Sequence, residues 1–214
     1  SEELICKMRA SILLLGPLLA RFGKAKIPFP GGCVLGKRSV AAHTLALEKL
    51  GCRVINQVEF LELKREKIVN ADIIMPEMSV TATENALMLA AITPGTTNLR
   101  LAAAEPHVQD LCRFLQKMGV RIENIGTDSL LIEGVKELNG VEYSVTPDYL
   151  EVGTFAIASL VTGGEVAIEN IETRQLDSFW QKLDETGANY VLSPNSVTLK
   201  PTKSFQAVAN LRTA

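Results

Sequence analysis

Three stretches of the chain share one pattern of apolar and polar positions. "HTLALEKLGCRVI", "PHVQDLCRFLQKMGVRI" and "LDSFWQKLDETGANYV" each space apolar residues three and four apart, reach a glycine, and pass into a β-rich run. That spacing puts the apolar side chains on one face of an α-helix. The stopping glycines are Gly51, Gly119 and Gly187, 68 residues apart each time. They predict left-handed helix caps, because glycine takes positive φ without a Cβ penalty.

A second series precedes those helices. "MRASILLLGPLLARFG", "TATENALMLAAITPG" and "VGTFAIASLVTGG" read as helices closed by glycine turns, followed by the strands "KAKIPF", "TTNLRL" and "EVAIEN". Period-2 alternation in "SLLIEGV" and "SVTLK" adds strands after the capped helices. The unit is therefore helix, turn, strand, loop, helix, glycine and strand pair, met three times. Repeats of this kind stack on a shared core. The expected fold is α/β, with helices inside and sheets around them.

The first copy differs from the others. From Gly23 to Gly51 is 28 positions, against 24 from Gly95 to Gly119, and the excess falls in "PFPGGCVLGKRS". A loop added to one copy of a repeat is a natural place for function. Pro28 and Pro30 argue against a strand interior there, and Gly31, Gly32 and Gly36 allow tight turns. Cys33 sits among them, with Lys37 and Arg38 just beyond and a helix predicted from near Val40. Cations and a helix N-terminus lower a thiol pKa and favour anions. The blander reading is a glycine linker whose cysteine tucks into the core.

Bulk properties exclude several classes. The net charge of −2 argues against a nucleic-acid scaffold or a polybasic membrane anchor, so neither partner is expected. The longest apolar run, residues 10–20, is too short for a bilayer and contains Pro17, and no signal-peptide layout precedes it. Cys6, Cys33, Cys52 and Cys112 are scattered and only two histidines exist, so neither a metal site nor a disulfide framework is expected. A reducing cytoplasm fits. The start at Ser1 and the end at "NLRTA" read as a fragment.

"MRASILLLGPLLARFGKAKIPFPGGCVLGKR" resembles the UDP-N-acetylglucosamine enolpyruvyl transferases (1-carboxyvinyltransferases), relatives of 5-enolpyruvylshikimate-3-phosphate synthase. The similarity continues through "MSVTATEN", "TPGTTNLRLAAAEPHVQDLCRFLQKMGVRI", "GTDSLLIEGV" and "TPDYLEVGTFAIASLVTGG", and the P-G-G-C-x-x-G-x-R loop is specific. The resemblance implies an inside-out α/β fold of six units, three per domain. Three of them are here: residues 1–146 in the first domain and 147–214 in the second, with the crossing near 146–148.

It also implies transfer of the enolpyruvyl group of phosphoenolpyruvate to the 3-hydroxyl of UDP-N-acetylglucosamine, a step of peptidoglycan synthesis, with those two small molecules as partners and no cofactor. Cys33 matches the family's proton donor, and Arg9 the arginine of M-R-A-S that contacts substrate phosphate. Arg38, Ser39, Val40, Ala41 and Ala42 match a nucleotide-sugar segment, as do Glu77, Met78, Ser79 and Val80, and Asp148 matches the aspartate of P-D-R.

Departures bear mainly on nucleotide binding. The family has proline at Ser39, aspartate at Ala41, glycine at Thr81 and commonly lysine at Glu77; R-E-P-E reads with Ala104 and His107, and P-D-R with Tyr149. His43 matches a family histidine but reads as a half-buried helix residue, and Glu105 as a helix-start acid. The family's lysine–asparagine pair falls before Ser1 and its catalytic aspartate after Ala214, so the chain is expected to be inactive alone. Two other readings stay open: a half-size, non-catalytic binder of nucleotide sugar, and the shikimate 3-phosphate enzyme, against which Cys33 argues.

Overall fold

The computed structural model describes residues 2–29, 39–56 and 60–208. The chain forms two compact units, Ser1–Ser144 and Val145–Ala214. In the first, α1 (Glu2–Lys7) leads into a 3-10 helix (Arg9–Leu14), then α2 (Leu15–Phe22) and β1 (Lys24–Pro28). Next come α3 (Ala41–Lys49), β2 (Cys52–Asn56), β3 (Phe60–Arg65) and β4 (Asp72–Ile74). The unit continues through α4 (Val80–Ala90), β5 (Gly95–Arg100), α5 (Pro106–Lys117), β6 (Arg121–Glu123) and β7 (Ser129–Gly134). The second unit holds α6 (Tyr149–Thr162), β8 (Val166–Glu169), a 3-10 turn (Thr173–Leu176), α7 (Asp177–Thr186), β9 (Tyr190–Ser193) and β10 (Ser196–Leu199).

Each copy builds the same small sheet. The orders are β1-β3-β2, β5-β7-β6 and β8-β10-β9, all antiparallel, so the second strand of each hairpin sits in the middle. In the second copy β4 adds a parallel strand beside β5. The sequence pattern had anticipated neither β4 nor α1.

All three predicted capping glycines have positive φ: 89° at Gly51, 107° at Gly119 and 74° at Gly187. Their amides repeat one bond, to the carbonyls of Glu48, Gln116 and Asp184, in keeping with the 68-residue period. The upstream helices run one residue out of that period. Ser79 caps α4 and Asp148 caps α6, and the Thr93–Leu89 side-chain bond of α4 recurs as Thr162–Ala158 in α6. The offset there is 69, so one residue is lost before the capping glycine.

The first predicted helix is two pieces, and Pro17 explains the division. Proline has no N–H and crowds the carbonyl four residues back, so it is tolerated only in a first turn. The α-helix accordingly starts at Leu15 and the six residues before it wind as 3-10. The break leaves main-chain groups to satisfy, and Asn85 of α4 supplies them. Its Oδ1 accepts from the Gly16 N–H at 2.6 Å; its Nδ2 donates to the carbonyls of Ile12 (3.1 Å) and Thr81 (2.9 Å). Asn85 is fully enclosed. A Cβ on residue 16 would lie 2.8 Å from the Asn85 carbonyl, so only glycine permits this approach.

Around that junction α4 packs on both α2 and α3, while α2 meets β1 and β3, α3 meets β2, and α4 meets β7. Helices therefore lie inside and sheets outside, with Leu15, Leu19, Leu47, Leu63, Leu87 and Leu99 in the core. The second unit has its own core of Val152, Ala156, Leu160, Trp180, Leu183, Val197 and Leu199. There Trp180 packs against Tyr190 and donates Nε1–H to the Thr173 carbonyl at 2.8 Å.

Two stability predictions follow from this geometry. Asn85→Ala leaves the Gly16 amide and the Ile12 carbonyl with less hydrogen bonding, at a cost of about 3 kcal/mol in chemical denaturation; a loss under about 1 kcal/mol would contradict the assigned role. Leu101, left-handed at φ 55° and exposed, has Asn170 at φ 57° as its counterpart in the next copy. Leu101→Asn should raise stability by about 1 kcal/mol, because asparagine tolerates that backbone better than leucine.

Candidate functional site

The glycine loop, 30–38, lies outside the described residues, and Cys33 and Arg38 with it. Its downstream edge is described. Ser39 Oγ accepts the Ala41 N–H at 3.1 Å, giving α3 a cap two residues ahead of its first turn. Val40 and Ala42 bury their side chains, so only their main chain can meet a ligand, whereas Ser39 and Ala41 are exposed.

The second predicted segment starts α4. Glu77 and Met78 are exposed, and Ser79 stands at the N-cap in extended backbone, its amide bonded to the Glu77 carbonyl at 2.9 Å and its side chain making no cap bond. Neither α3 nor α4 has an acidic residue in its first turn. The two N-termini thus keep their partial positive charge, which favours anions.

One side chain ties the two helix starts together. His43 of α3 is only 1% exposed, and its Nε2 lies 2.8 Å from Thr81 Oγ1 in the first turn of α4. Burial, with the positive charge of Arg9 nearby, pushes the imidazole down to about 4, so it is neutral at physiological pH. The starts of α3 and α4 therefore meet through His43 and Thr81, and the 3-10 helix that Arg9 begins packs on α4. The expectation of a half-buried histidine is corrected: the ring is sealed, because α3 and α4 close over it.

Asp148 belongs to the second unit. Its carboxylate accepts the Leu150 N–H at 2.8 Å as the N-cap of α6, and it is exposed. Glu105 stands at the N-cap of α5 ahead of Pro106, as a helix-start acid should, yet its Oε2 is buried with no hydrogen-bond partner. Sequence reasoning passed over its neighbour Glu84. This residue of α4 is 7% exposed, and burial, with the Glu105 charge adding to it, pushes its carboxyl up to about 7. The available signal was the polar "TEN" inside the apolar run "TATENALMLAA", which also holds Asn85.

Two thiols are unreactive by environment: burial pushes Cys52 up to about 11 and Cys112 up to about 12, while Cys6 is exposed. Among the described residues no three His, Cys, Asp or Glu side chains are grouped to hold a metal. No helix among them is long and apolar enough to cross a membrane.

His43 and Glu84 give stability opposing pH dependences. His43 has its ordinary value of 6.5 lowered to about 4, so the unfolded chain takes up the proton first and stability falls as pH drops from 6.5 to 4. Glu84 has 4.5 raised to about 7, so the folded chain keeps a proton the unfolded chain has released, and stability falls as pH rises from 4.5 to 7. The advantage of Glu84→Gln over the parent should therefore grow by about 3 kcal/mol between pH 4.5 and 7 in urea denaturation. A pH-independent difference would refute the shift.

The family model for EPSP synthase (3-phosphoshikimate 1-carboxyvinyltransferase) matches residues 1–214. UDP-N-acetylglucosamine 1-carboxyvinyltransferase of Treponema denticola is 44% identical over 210 residues, 98% of this chain and 49% of that protein. The protein of the same name from Chlorobium limicola is 46% identical over 199 residues, 92% of this chain and 47% of its own length. The chain spans about half the length of the curated relatives it matches. In fold it is similar to the crystal structure of the enolpyruvyl transferase NikO from Streptomyces tendae, with TM-score 0.79 at 22% identity over 95% of this chain and 49% of that one. An EPSP synthase from Acinetobacter baumannii gives 0.69 at 16% identity over 95% and 48%. Inside-out copies of one helix–strand unit, a family model matched from end to end and relatives above 40% identity agree: this chain belongs to the EPSP synthase family.

Proposed function

We propose that this chain is part of an enzyme that moves the enolpyruvyl group of phosphoenolpyruvate onto the 3-hydroxyl of UDP-N-acetylglucosamine, the first committed step toward peptidoglycan precursors. The observation that carries the reading is the His43–Thr81 pairing at 2.8 Å, which brings together the starts of α3 and α4, the two segments that match the family's nucleotide-sugar contacts. Two segments far apart in sequence meet at their helix N-termini, a setting suited to phosphate groups. The names of the relatives support the choice of substrates.

In this reading each residue has a definite task. The Cys33 thiol gives its proton to the methylene carbon of the enol while the sugar hydroxyl, losing its own proton to a base that is not among the residues assigned here, attacks the adjacent carbon through oxygen. The resulting tetrahedral adduct then returns a methyl proton to the Cys33 thiolate and expels phosphate, which restores the thiol and the enol ether on the sugar. A thiol suits the first step because its pKa lies close enough to neutrality to release a proton. Arg9 holds phosphate. Arg38, Ser39, Val40, Ala41 and Ala42 hold the nucleotide sugar from one side and Glu77, Met78, Ser79 and Val80 from the other; the buried Val40 and Ala42 contribute main chain only. Asp148 is assigned a substrate contact in addition to capping α6. With Ala41 and Thr81 in place of the family's aspartate and glycine, the nucleotide contacts differ from those of the family.

The test is selective chemistry at sulfur. On exposure to an epoxide phosphonate, Cys33 should be modified well ahead of Cys6, read by peptide mass spectrometry, while Cys52 and Cys112 stay unlabelled behind their burial and raised pKa. Cys33→Ser should abolish labelling at that position. Equal labelling of Cys6 and Cys33 would count against a phosphonate-guided site.

A further inference from the structure

Fifteen positions of chain lead from Arg65 at the end of β3 to Val80 at the start of α4, and fifteen from Gly134 at the end of β7 to Tyr149 at the start of α6. The two connectors take different courses. The first forms β4 and pairs in parallel with β5 of the copy that follows, so two copies share one unit. The second forms no strand, and among the described residues β8 pairs with β10 alone. It turns back along α5 of the copy it has just left. The Asn139 amide donates to the Met118 carbonyl at 2.9 Å, just past the end of α5. Four residues on, the Tyr143 hydroxyl donates to Asp110 Oδ1 at 2.7 Å, in the first half of that helix.

Several contacts hold the tyrosine there. Asp110 is only 7% exposed, so its carboxylate needs a donor. The Tyr143 ring stands edge-on to Phe114 at 5.4 Å between centroids, and Lys117 Nζ sits over it at 5.2 Å. At the matching registers of the preceding copy, 68 positions before Asp110 and 69 before Tyr143, stand Ala42 and Ile74, which cannot make such a bond. The polar pair therefore goes with the course of the connector. The first compact unit ends at Ser144, the residue after the tyrosine. We propose that Asp110 and Tyr143 form a clasp that straps residues 135–144 to α5, so that the connector stays with the first unit instead of adding a strand to the second. Residues 144–147, between the clasp and the Asp148 cap of α6, are thereby the hinge between the units. The clasp holds whether or not the chain binds the substrates proposed above.

The experiment is limited proteolysis of the 214-residue chain with a glutamate-specific protease, read by mass spectrometry, with hydrogen exchange alongside. Glu142 is exposed beside the clasp, and cleavage after it requires the strap to leave α5. Tyr143→Phe keeps the ring and removes the hydroxyl; it should speed that cleavage about tenfold. Asp110→Ala leaves the cleaved sequence unaltered and should act alike. The Asp110→Ala, Tyr143→Phe double variant should be cut no faster than the faster single variant, because one bond is lost in all three. Exchange of the Asn139 amide should rise with cleavage while α4 and α7 keep the protection of the parent. Parent-like cleavage in either single variant, or additive effects in the double variant, overturns the clasp. Faster exchange throughout α4 as well would mean that the pair serves general stability, and that result overturns it too.

Discussion

Asn85 holds the first unit together at the one place where its helices could not do so alone. Pro17 breaks the 3-10 and α-helical segments apart, and the amide and carbonyl left at the break point inward, away from water. A single side-chain amide from α4 accepts from one and donates to the other, while its second N–H closes on its own helix at Thr81. Buried polar groups so matched are stable, and each would be costly if unmatched. Gly16 lets the chains approach closely enough for the bond to form. Everything proposed for the corner beyond it inherits this spacing, because Arg9 is carried by one side of the junction and Thr81 by the other.

The third copy shows what the junction adds. At the register of Asn85, α6 carries Thr154, whose hydroxyl donates only to the carbonyl of Leu150, four residues back on its own helix. The bond to the helix's own preceding turn is preserved and the two bonds to another helix are not. Copies with the same strand order therefore differ at this register in whether the side chain reaches another helix. The corner proposed to bind phosphate stands at the copy in which α4 is tied to its neighbours.

The electrostatics of α4 follow a similar logic. His43 packs on its first turn and is neutral because burial and a neighbouring cation disfavour a second positive charge. Glu84, one turn further on, holds its proton to near neutrality because burial and the Glu105 charge disfavour another anion. Both groups are poised by enclosure inside a helix layer, so the fold and not the local sequence sets their charge.

Much of this was legible from spacing. Helix period, capping glycines and strand alternation are local properties, dictated by backbone sterics within a few residues, and the 68-residue register exposed the repeat. The inside-out layering followed, since helices apolar over most of their surface need cover on several sides. The candidate loop was visible as an excess of four residues carrying Cys33. What the linear pattern could not express is who meets whom. The short β4 has too few residues for a periodic signal, and Pro17 reads equally as a kink or a start. The meaning of Asn85, His43, Thr81 and Glu84 depends on partners 38, 69 or 73 positions away, or on burial that exists only once α3, α4 and α5 have closed. By itself the sequence determined the units, their order and the thiol loop, because neighbours along the chain decide those. The tertiary structure alone decided which polar side chains are sealed, paired and stripped of charge, because desolvation is a property of the assembled layers.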